Sequence, residues 1–417
     1  MIASQASTEA PTRTERLLPD IQESEWTPLE RFAFRFVFVY FAIFFCGSLL
    51  DSGYAPRKLL AALSDPPVRW LASGVLHLPE SAIGGPRWAL AQQVVAFAIA
   101  AIVAAGWSAV SRRTQYHRLR GWFFIGLRYY VGVVMSVYGG FKVIESQFPP
   151  ISFAQLSQPL GSMAPMGLLW AFMGYSTLYA TFAGIGESVG AFLLFFRKTT
   201  TIGALILLTV LSNVALLNYA FDVPVKQLSS NLLLASIVLA ASDIKRIADV
   251  FFFNRSSGPA DLSFDFRRPW IYKTRRVLKP LIVFLAAVGP LTASAIIHHN
   301  ITKRPPLFGL YDVDVFARDG AVAGPTDGSR WRRVAIDRGG IVAVRRADDT
   351  ASYFTATFDT TKHLIVLRPR DASARVTYSY ESSADGLRLR STADGETITA
   401  NLRRVDPEKI FPLLRRR

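Results

Sequence analysis

Runs of about 20 apolar residues are long enough to cross a hydrocarbon core of roughly 30 Å. They recur along the chain at 31–50, 89–110, 121–142, 179–196, 201–221, 227–246 and 278–297. A different rhythm begins at Pro305, where apolar and polar residues alternate in short runs. Examples are Tyr311-Val313-Val315, Ile341-Ala343, Tyr353-Thr355-Thr357, Leu364-Val366, Val376-Tyr378-Tyr380, Leu387-Leu389 and Ile398-Ala400-Leu402. Turn signals separate them at Arg318-Asp319-Gly320, Arg338-Gly339-Gly340, Asp348-Asp349, Asp385-Gly386 and Asp394-Gly395. A period of two with regular turns predicts about eight antiparallel strands in 305–404, an all-β barrel or sandwich. The expected fold is an α-helical integral membrane bundle of about seven transmembrane helices, followed by this C-terminal β domain. A barrel of eight strands would hold one small apolar ligand or be filled by its own side chains.

Two stretches fit neither rhythm. Pro149, Pro150, Pro159 and Pro165 interrupt 150–178, and the apolar run Met166–Tyr179 is too short to cross alone. A half-helix packed at the outer face is expected there; an unbroken helix through Phe196 is the alternative. Residues 57–78 are amphipathic around Val68, Trp70, Leu71, Val75 and Leu76, the pattern of a helix lying in the membrane interface.

Charge sets the orientation. Arg112, Arg113, Arg118 and Arg120 crowd the second connection, Arg197 and Lys198 the fourth, and Lys245, Arg246, Arg255, Arg267, Arg268, Lys273, Arg275 and Arg276 the sixth. The stretch 143–165 has neither Lys nor Arg, and the fifth connection has only Lys226. Basic connections stay in the cytoplasm. The N-terminus is therefore expected inside and the C-terminal domain outside, against a mild contrary signal from Arg57, Lys58, Arg69 and Arg87. The formal charge of +16 is explained largely by these clusters, and no aromatic-basic motif points to nucleic acid. Cys46 is the single cysteine, which excludes an intrachain disulfide and a cysteine-rich metal site. The first 30 residues lack the apolar core of a signal peptide. The expected organisation is a cytoplasmic tail over 1–30, two helices with an outer loop over 31–110 and a membrane core over 111–255. A basic loop and last helix follow over 256–300, and an extracytoplasmic β domain over 301–417.

Charged residues inside spans are expensive and mark candidate chemistry. Arg128 lies about seven residues into the third span, roughly 10 Å deep at 1.5 Å per residue. Glu187 lies about ten residues before Arg197, roughly 15 Å deep. An intramembrane Arg128–Glu187 ion pair is expected, either fixing helix register or handling protons or a ligand. Tyr138 and Lys142 are four apart and share a helix face near the outer surface. Asp222 is expected to favour the positive start of the sixth span, behind Pro224. Together Tyr138, Lys142, Asp222, Lys226 and Asn218 form a candidate outward-opening pocket for an anionic or quinone-like head group. Asn213, Asn218 and Asn231 also read as interhelical glue, and Gly186-x-x-x-Gly190 as close packing. His298-His299 is not a sufficient metal site, so no metal is assigned. In the β domain, Arg330, Arg332, Arg333, Arg345 and Arg346 read as a solvated face or a rest for anionic lipid.

Several of these segments resemble one family. Tyr138-Gly139-Gly140-Phe141-Lys142 with Gln147-Phe148-Pro149, the stretch Pro165–Gly174, Gly184-Ile185-Gly186-Glu187, and Asn218–Lys226 resemble DoxX-like membrane proteins over roughly 105–255. The resemblance implies a four-helix DoxX-type core in a bacterial inner membrane. It also implies an accessory or ligand-binding role in a membrane redox or envelope process, with membrane lipid, quinone and redox-complex subunits as candidate partners. Some relatives carry a cysteine just before the aspartate of the Asp222-Val223-Pro224-Val225-Lys226 motif; this chain has Ala220 there. Two further readings are a transporter or permease and a membrane enzyme acting on a lipid or quinone, with Asp222 and Lys226 as acid–base groups.

Overall fold

The computed structural model describes residues 26–50, 65–79, 85–258, 269–369, 375–393 and 396–414. Most of the expected tail, residues 57–64, Arg267, Arg268 and the Asp394-Gly395 turn lie outside them. Backbone contacts divide the chain into two units, 1–83 with 87–123, and 84–86 with 124–417.

The first unit contains α1 (Pro28–Leu50), a short helical segment ending in a π-helical turn at Trp70–Val75, α2 (Pro86–Val110) and the start of α3 (His117–Val143). It buries Arg35, a charge in the first apolar run that the sequence reading passed over. The guanidinium donates to the Tyr116 hydroxyl from Nε (3.2 Å) and Nη2 (2.8 Å) and lies over the Trp107 and Tyr116 rings. Hydrogen bonds and ring faces together replace much of the hydration it gives up.

The second unit continues α3 and adds α4 (Phe153–Leu156), α5 (Pro165–Tyr175), α6 (Thr177–Leu194), α7 (Thr200–Ala220), α8 (Lys226–Ala241), α9 (Ile244–Phe251) and α10 (Pro269–Thr302). Among the described residues five helical stretches are long and apolar enough to cross a membrane: Pro86–Val110, His117–Val143, Thr177–Leu194, Arg197–Ala220 and Lys273–Thr302. That is the make-up of a multi-pass membrane protein. A sixth exists if α8 and α9, bent by 73°, count as one span. This count is of the described residues, and the expected runs 31–50 and 227–246 are the two outside it. The run 31–50 is helical as α1, with Arg35 the one charge beyond its first turn, and the side chains of 46–50 lie outside those described. The run 227–246 stops at Ala241, where the chain turns into α9 with Ile244, Ile247 and Phe251 on one side and Lys245, Arg246 and Asp249 on the other. The continuous helix through Phe196 does not form. Ser176 is extended and caps α6 by accepting from the Tyr179 N–H (3.2 Å), leaving α5 as a separate helix of 11 residues.

Small residues set how closely these helices approach. A Cβ on Gly139 of α3 would stand 2.8 Å from the Gly184 carbonyl oxygen, and one on Gly184 of α6 2.8 Å from the Gly139 oxygen. The two backbones are in direct contact there, one turn from Lys142 and Glu187. Farther along α6, Gly190 meets Leu207, and its carbonyl sits 2.9 Å from where a Cβ on Gly203 of α7 would be. The expected Gly186-x-x-x-Gly190 pair is therefore split. Gly190 is a packing residue, whereas a Cβ on Gly186 would make only an ordinary 3.4 Å contact.

The β domain is a closed antiparallel barrel. Its strands are β1 (Gly309–Arg318), β2 (Ala321–Val322), β3 (Trp331–Ile336), β4 (Ile341–Arg346), β5 (Ala351–Asp359), β6 (Leu364–Pro369), β7 (Val376–Ser382), β8 (Gly386–Ala393) and β9 (Glu396–Val405). β1 pairs with both β3 and β9, closing eight strands, and β2 is a short arm on β1. The interior is filled by side chains, with Phe316 and Tyr378 both packed against Trp331 at ring separations of 5.4 and 5.8 Å. The expected inward set is corrected at several strands. A bulge between Val313 and Val315 flips the parity of β1, so Phe316 is 1% exposed and Val315 38%. In β4, β5 and β6 the interior takes Val342 and Val344, Phe354, Ala356 and Phe358, and Ile365 and Leu367, one residue out of step with the alternation expected. β3 was not anticipated; it too carries a bulge, between Trp331 and Arg333.

The arginines of this domain are largely engaged within it. Arg333 pairs with Asp312 (2.7 Å), Arg345 donates to the Asp349 carbonyl (2.7 Å), and Arg332 pairs with Asp349. One carboxylate ties the barrel to the helical part of its unit. Asp337, buried after β3, accepts the Phe153 and Ala154 N–H groups (2.8 and 3.0 Å) at the start of α4. Burial raises its carboxyl above the usual range, opposed by these two bonds, which favour the charged form. Ala154 in turn packs on Leu310, Ala335 and Ala343, covering one outer face of the barrel.

Candidate ligand site in the helical bundle

The candidate site is a half-open cavity of about 790 Å³ walled by α3, α5, α6, α7 and α8, with Tyr179, Phe182 and Ile185 of its lining exposed. One wall is built from the cluster of Phe148, Leu169, Met173 and Val223, with Trp170 set edge-on to Phe148 at 5.1 Å. Pro165 opens α5 where its missing N–H costs nothing, and the apolar run behind it supplies Met166, Leu169, Trp170 and Met173 to the cavity. Ile206 and Val210 of α7 add further apolar surface.

Lys142 and Glu187 are the charged residues of the wall. Lys142 Nζ and Glu187 Oε1 form a buried ion pair, with side-chain exposures of 6% and 1%. Pairing two charges in an apolar setting avoids leaving either alone, which is the far costlier arrangement. The Tyr138 ring lies 6.0 Å from Lys142 Nζ, one turn back on α3. Three residues of the wall each keep a buried polar atom without a hydrogen-bond partner in the protein: Gln147 Oε1, Glu187 Oε2 and Asn218 Nδ2.

Of the residues expected at the site, Tyr138, Lys142, Asn218 and Glu187 come together in this wall, and Asp222 and Lys226 do not. The expected Arg128–Glu187 pair is not formed. Arg128 Nε donates instead to the Leu194 carbonyl (2.9 Å), at the end of α6, where carbonyls lack intrahelical partners and attract cations. Arg128 and Lys142 are 14 residues apart on α3, about 21 Å along its axis, so only one can reach Glu187. The proposed cap by Asp222 is also corrected. Val225 precedes α8 without a side-chain cap, while Asp222 has φ of 52° just after α7 and accepts from Lys226 Nζ at 2.6 Å. A single non-glycine residue in the left-handed region commonly ends a helix, and Asp tolerates it better than most. Gln147 enters the sequence reading only within a motif; its place four residues after the end of the helix that carries Lys142 is the available signal.

A stretch of 126 residues, 30% of the chain, is 32% identical to the Uncharacterized protein YwoB of Bacillus subtilis (strain 168), of which it covers 79%. The chain belongs to the YwoB family. No family model matches it, and no solved structure does. The YwoB name carries no activity, so chemistry must be read from the site in this member of the family. An apolar chamber of this size suits a molecule of modest dimensions with an apolar body and a few polar atoms. Asp222 and Lys226 are engaged with each other outside the wall, so they do not face the chamber as an acid–base pair.

Proposed function

We propose that this YwoB-family chain is a multi-pass protein of a bacterial cytoplasmic membrane that holds an amphiphilic molecule in the cavity, with a DoxX-like core over 111–255. In this reading it is a ligand-binding or accessory component of a membrane redox or envelope process, and its partners are membrane lipid and the subunits of such a process. The observation that carries it is the 790 Å³ apolar chamber with one buried ion pair in its wall. A structural ion pair alone needs no chamber beside it.

The orientation belongs to the same proposal. With consecutive helices crossing in turn, Arg112–Arg120, Arg197–Lys198 and Lys245–Arg255 fall on one side, the cytoplasm. The hydrogen bonds from Phe153 and Ala154 to Asp337 support it, because they bring the Lys- and Arg-free stretch 143–165 and the barrel to the same side. Ser383 is exposed in the barrel. In spheroplasts, a Ser383→Cys variant on a Cys46→Ser background should react with a membrane-impermeant maleimide. Labelling only after lysis would place the barrel inside.

The binding role is tested by native mass spectrometry of the full chain released gently from its membrane. A small amphiphile should remain bound. It should be lost from Ala183→Trp, which fills the cavity from α6. An unliganded wild-type chain, or equal retention by the variant, would remove the basis of the reading.

A further inference from the structure

We infer that the cavity takes an uncharged, hydroxyl-bearing lipid whose hydroxyls meet Gln147, Glu187 and Asn218. This rests on the reading of the cavity as a ligand site and adds the chemistry of the head. The first argument is charge. Lys142 and Glu187 are the charged residues of the wall, and they neutralise each other. A charged head would bring a further ion into an apolar chamber with no counter-charge left to meet it, an unfavourable transfer. The second argument is the inventory of unpaired atoms. Glu187 Oε2 and Gln147 Oε1 are acceptors and Asn218 Nδ2 is a donor, each buried and without a partner in the protein. Unpaired buried polar atoms are unfavourable and rare. A hydroxyl group both donates and accepts, so a diol-like head answers both kinds of atom once the three side chains, whose unpaired atoms have almost no accessible surface, turn toward it. A bare hydrocarbon answers neither. The third argument is the body of the chamber, where Met166, Leu169, Trp170, Met173, Ile206 and Val210 offer an apolar path for one chain.

The test uses the full chain, stripped of endogenous lipid in detergent, and four probes with a long chain of similar length. They are 1-oleoylglycerol (two hydroxyls), oleylamine (cation), oleoyl lysophosphatidic acid (anion) and octadecene (no head). Retention is read by native mass spectrometry. The oleoylglycerol should be held at least about tenfold more tightly than each of the others, a difference equal to one or two hydrogen bonds. Equal retention of a charged probe or of octadecene would overturn the head chemistry and leave the cavity reading standing. Retention of none of the four would overturn both. Asn218→Leu separates a binding amide from interhelical glue. It should weaken oleoylglycerol retention about fivefold, with the thermal midpoint unchanged or raised, since an unpaired buried amide has been removed. A lowered midpoint with retention intact would make Asn218 a packing residue and overturn its role. Gln147→Leu, at a position after α3 has ended, repeats the test away from the helix interfaces.

Discussion

Lys142 is the penultimate residue of α3, yet its partner Glu187 sits in the middle of α6. The C-terminal end of α3 is therefore level with the interior of the neighbouring helix, and the chain continues through α4 and α5 before α6 begins. Breaking one half of such a pair leaves a buried charge and costs about 3–5 kcal/mol, whereas replacing both by apolar residues is close to neutral. Lys142→Met and Glu187→Leu should each lower the thermal midpoint of the detergent-solubilised chain sharply, and the double variant should recover most of the loss. Additive losses would mean that the two do not act as a pair. Each charge was legible in the sequence because ionic residues stand out in apolar runs. The pairing was not, because counting residues from the membrane edge assumed that adjacent spans begin and end at the same level. Arg128, near the middle of α3, instead satisfies a carbonyl at the end of α6.

Elements followed the hydrophobic rhythm where nothing interrupted it. The run behind Pro165 became a helix, and the alternation after Pro305 became strands. Register was lost where an extra residue entered, as at the bulge beside Val313, because a period of two reverses with each insertion. It was also lost in β4, whose outer face is covered by α4, so that both faces carry apolar residues and alternation no longer separates them. The barrel core makes a pH prediction. Burial raises the Tyr378 hydroxyl to about 12, with Arg318 acting in the opposite sense. The unfolded value is about 10, so the folded barrel holds this proton more tightly than the unfolded chain. Its contribution of about 2–3 kcal/mol is fully present below pH ~10 and lost as pH rises through ~12. Alkaline unfolding of the barrel, followed by near-ultraviolet circular dichroism, should shift to higher pH in Tyr378→Phe. An unchanged midpoint would assign the transition to another group.

At the scale of the molecule, the sequence separates a helical membrane part from a β part, and the structure keeps that division. The cavity was legible in part: the sequence groups Tyr138, Lys142 and Asn218 in one pocket, but with Asp222 and Lys226 in place of Gln147 and Glu187. Its polar wall draws on α3, the segment after it, α6 and α7, and no local pattern announces that Gln147 and Glu187 join the other three. What the sequence did show is that these residue types lie where apolar surroundings make them costly. The central claim is that an amphiphile occupies this chamber rather than the outer surface of the helices. Photo-crosslinking answers it most directly, with a diazirine in the chain of a monoacylglycerol added to the full protein in nanodiscs and adducts mapped by peptide mass spectrometry. Adducts should concentrate on Met173, Ile206 and Val210 and be competed by unlabelled oleoylglycerol. Adducts spread over exposed positions such as Leu281, Phe284 and Leu285 of α10, without competition, would contradict it.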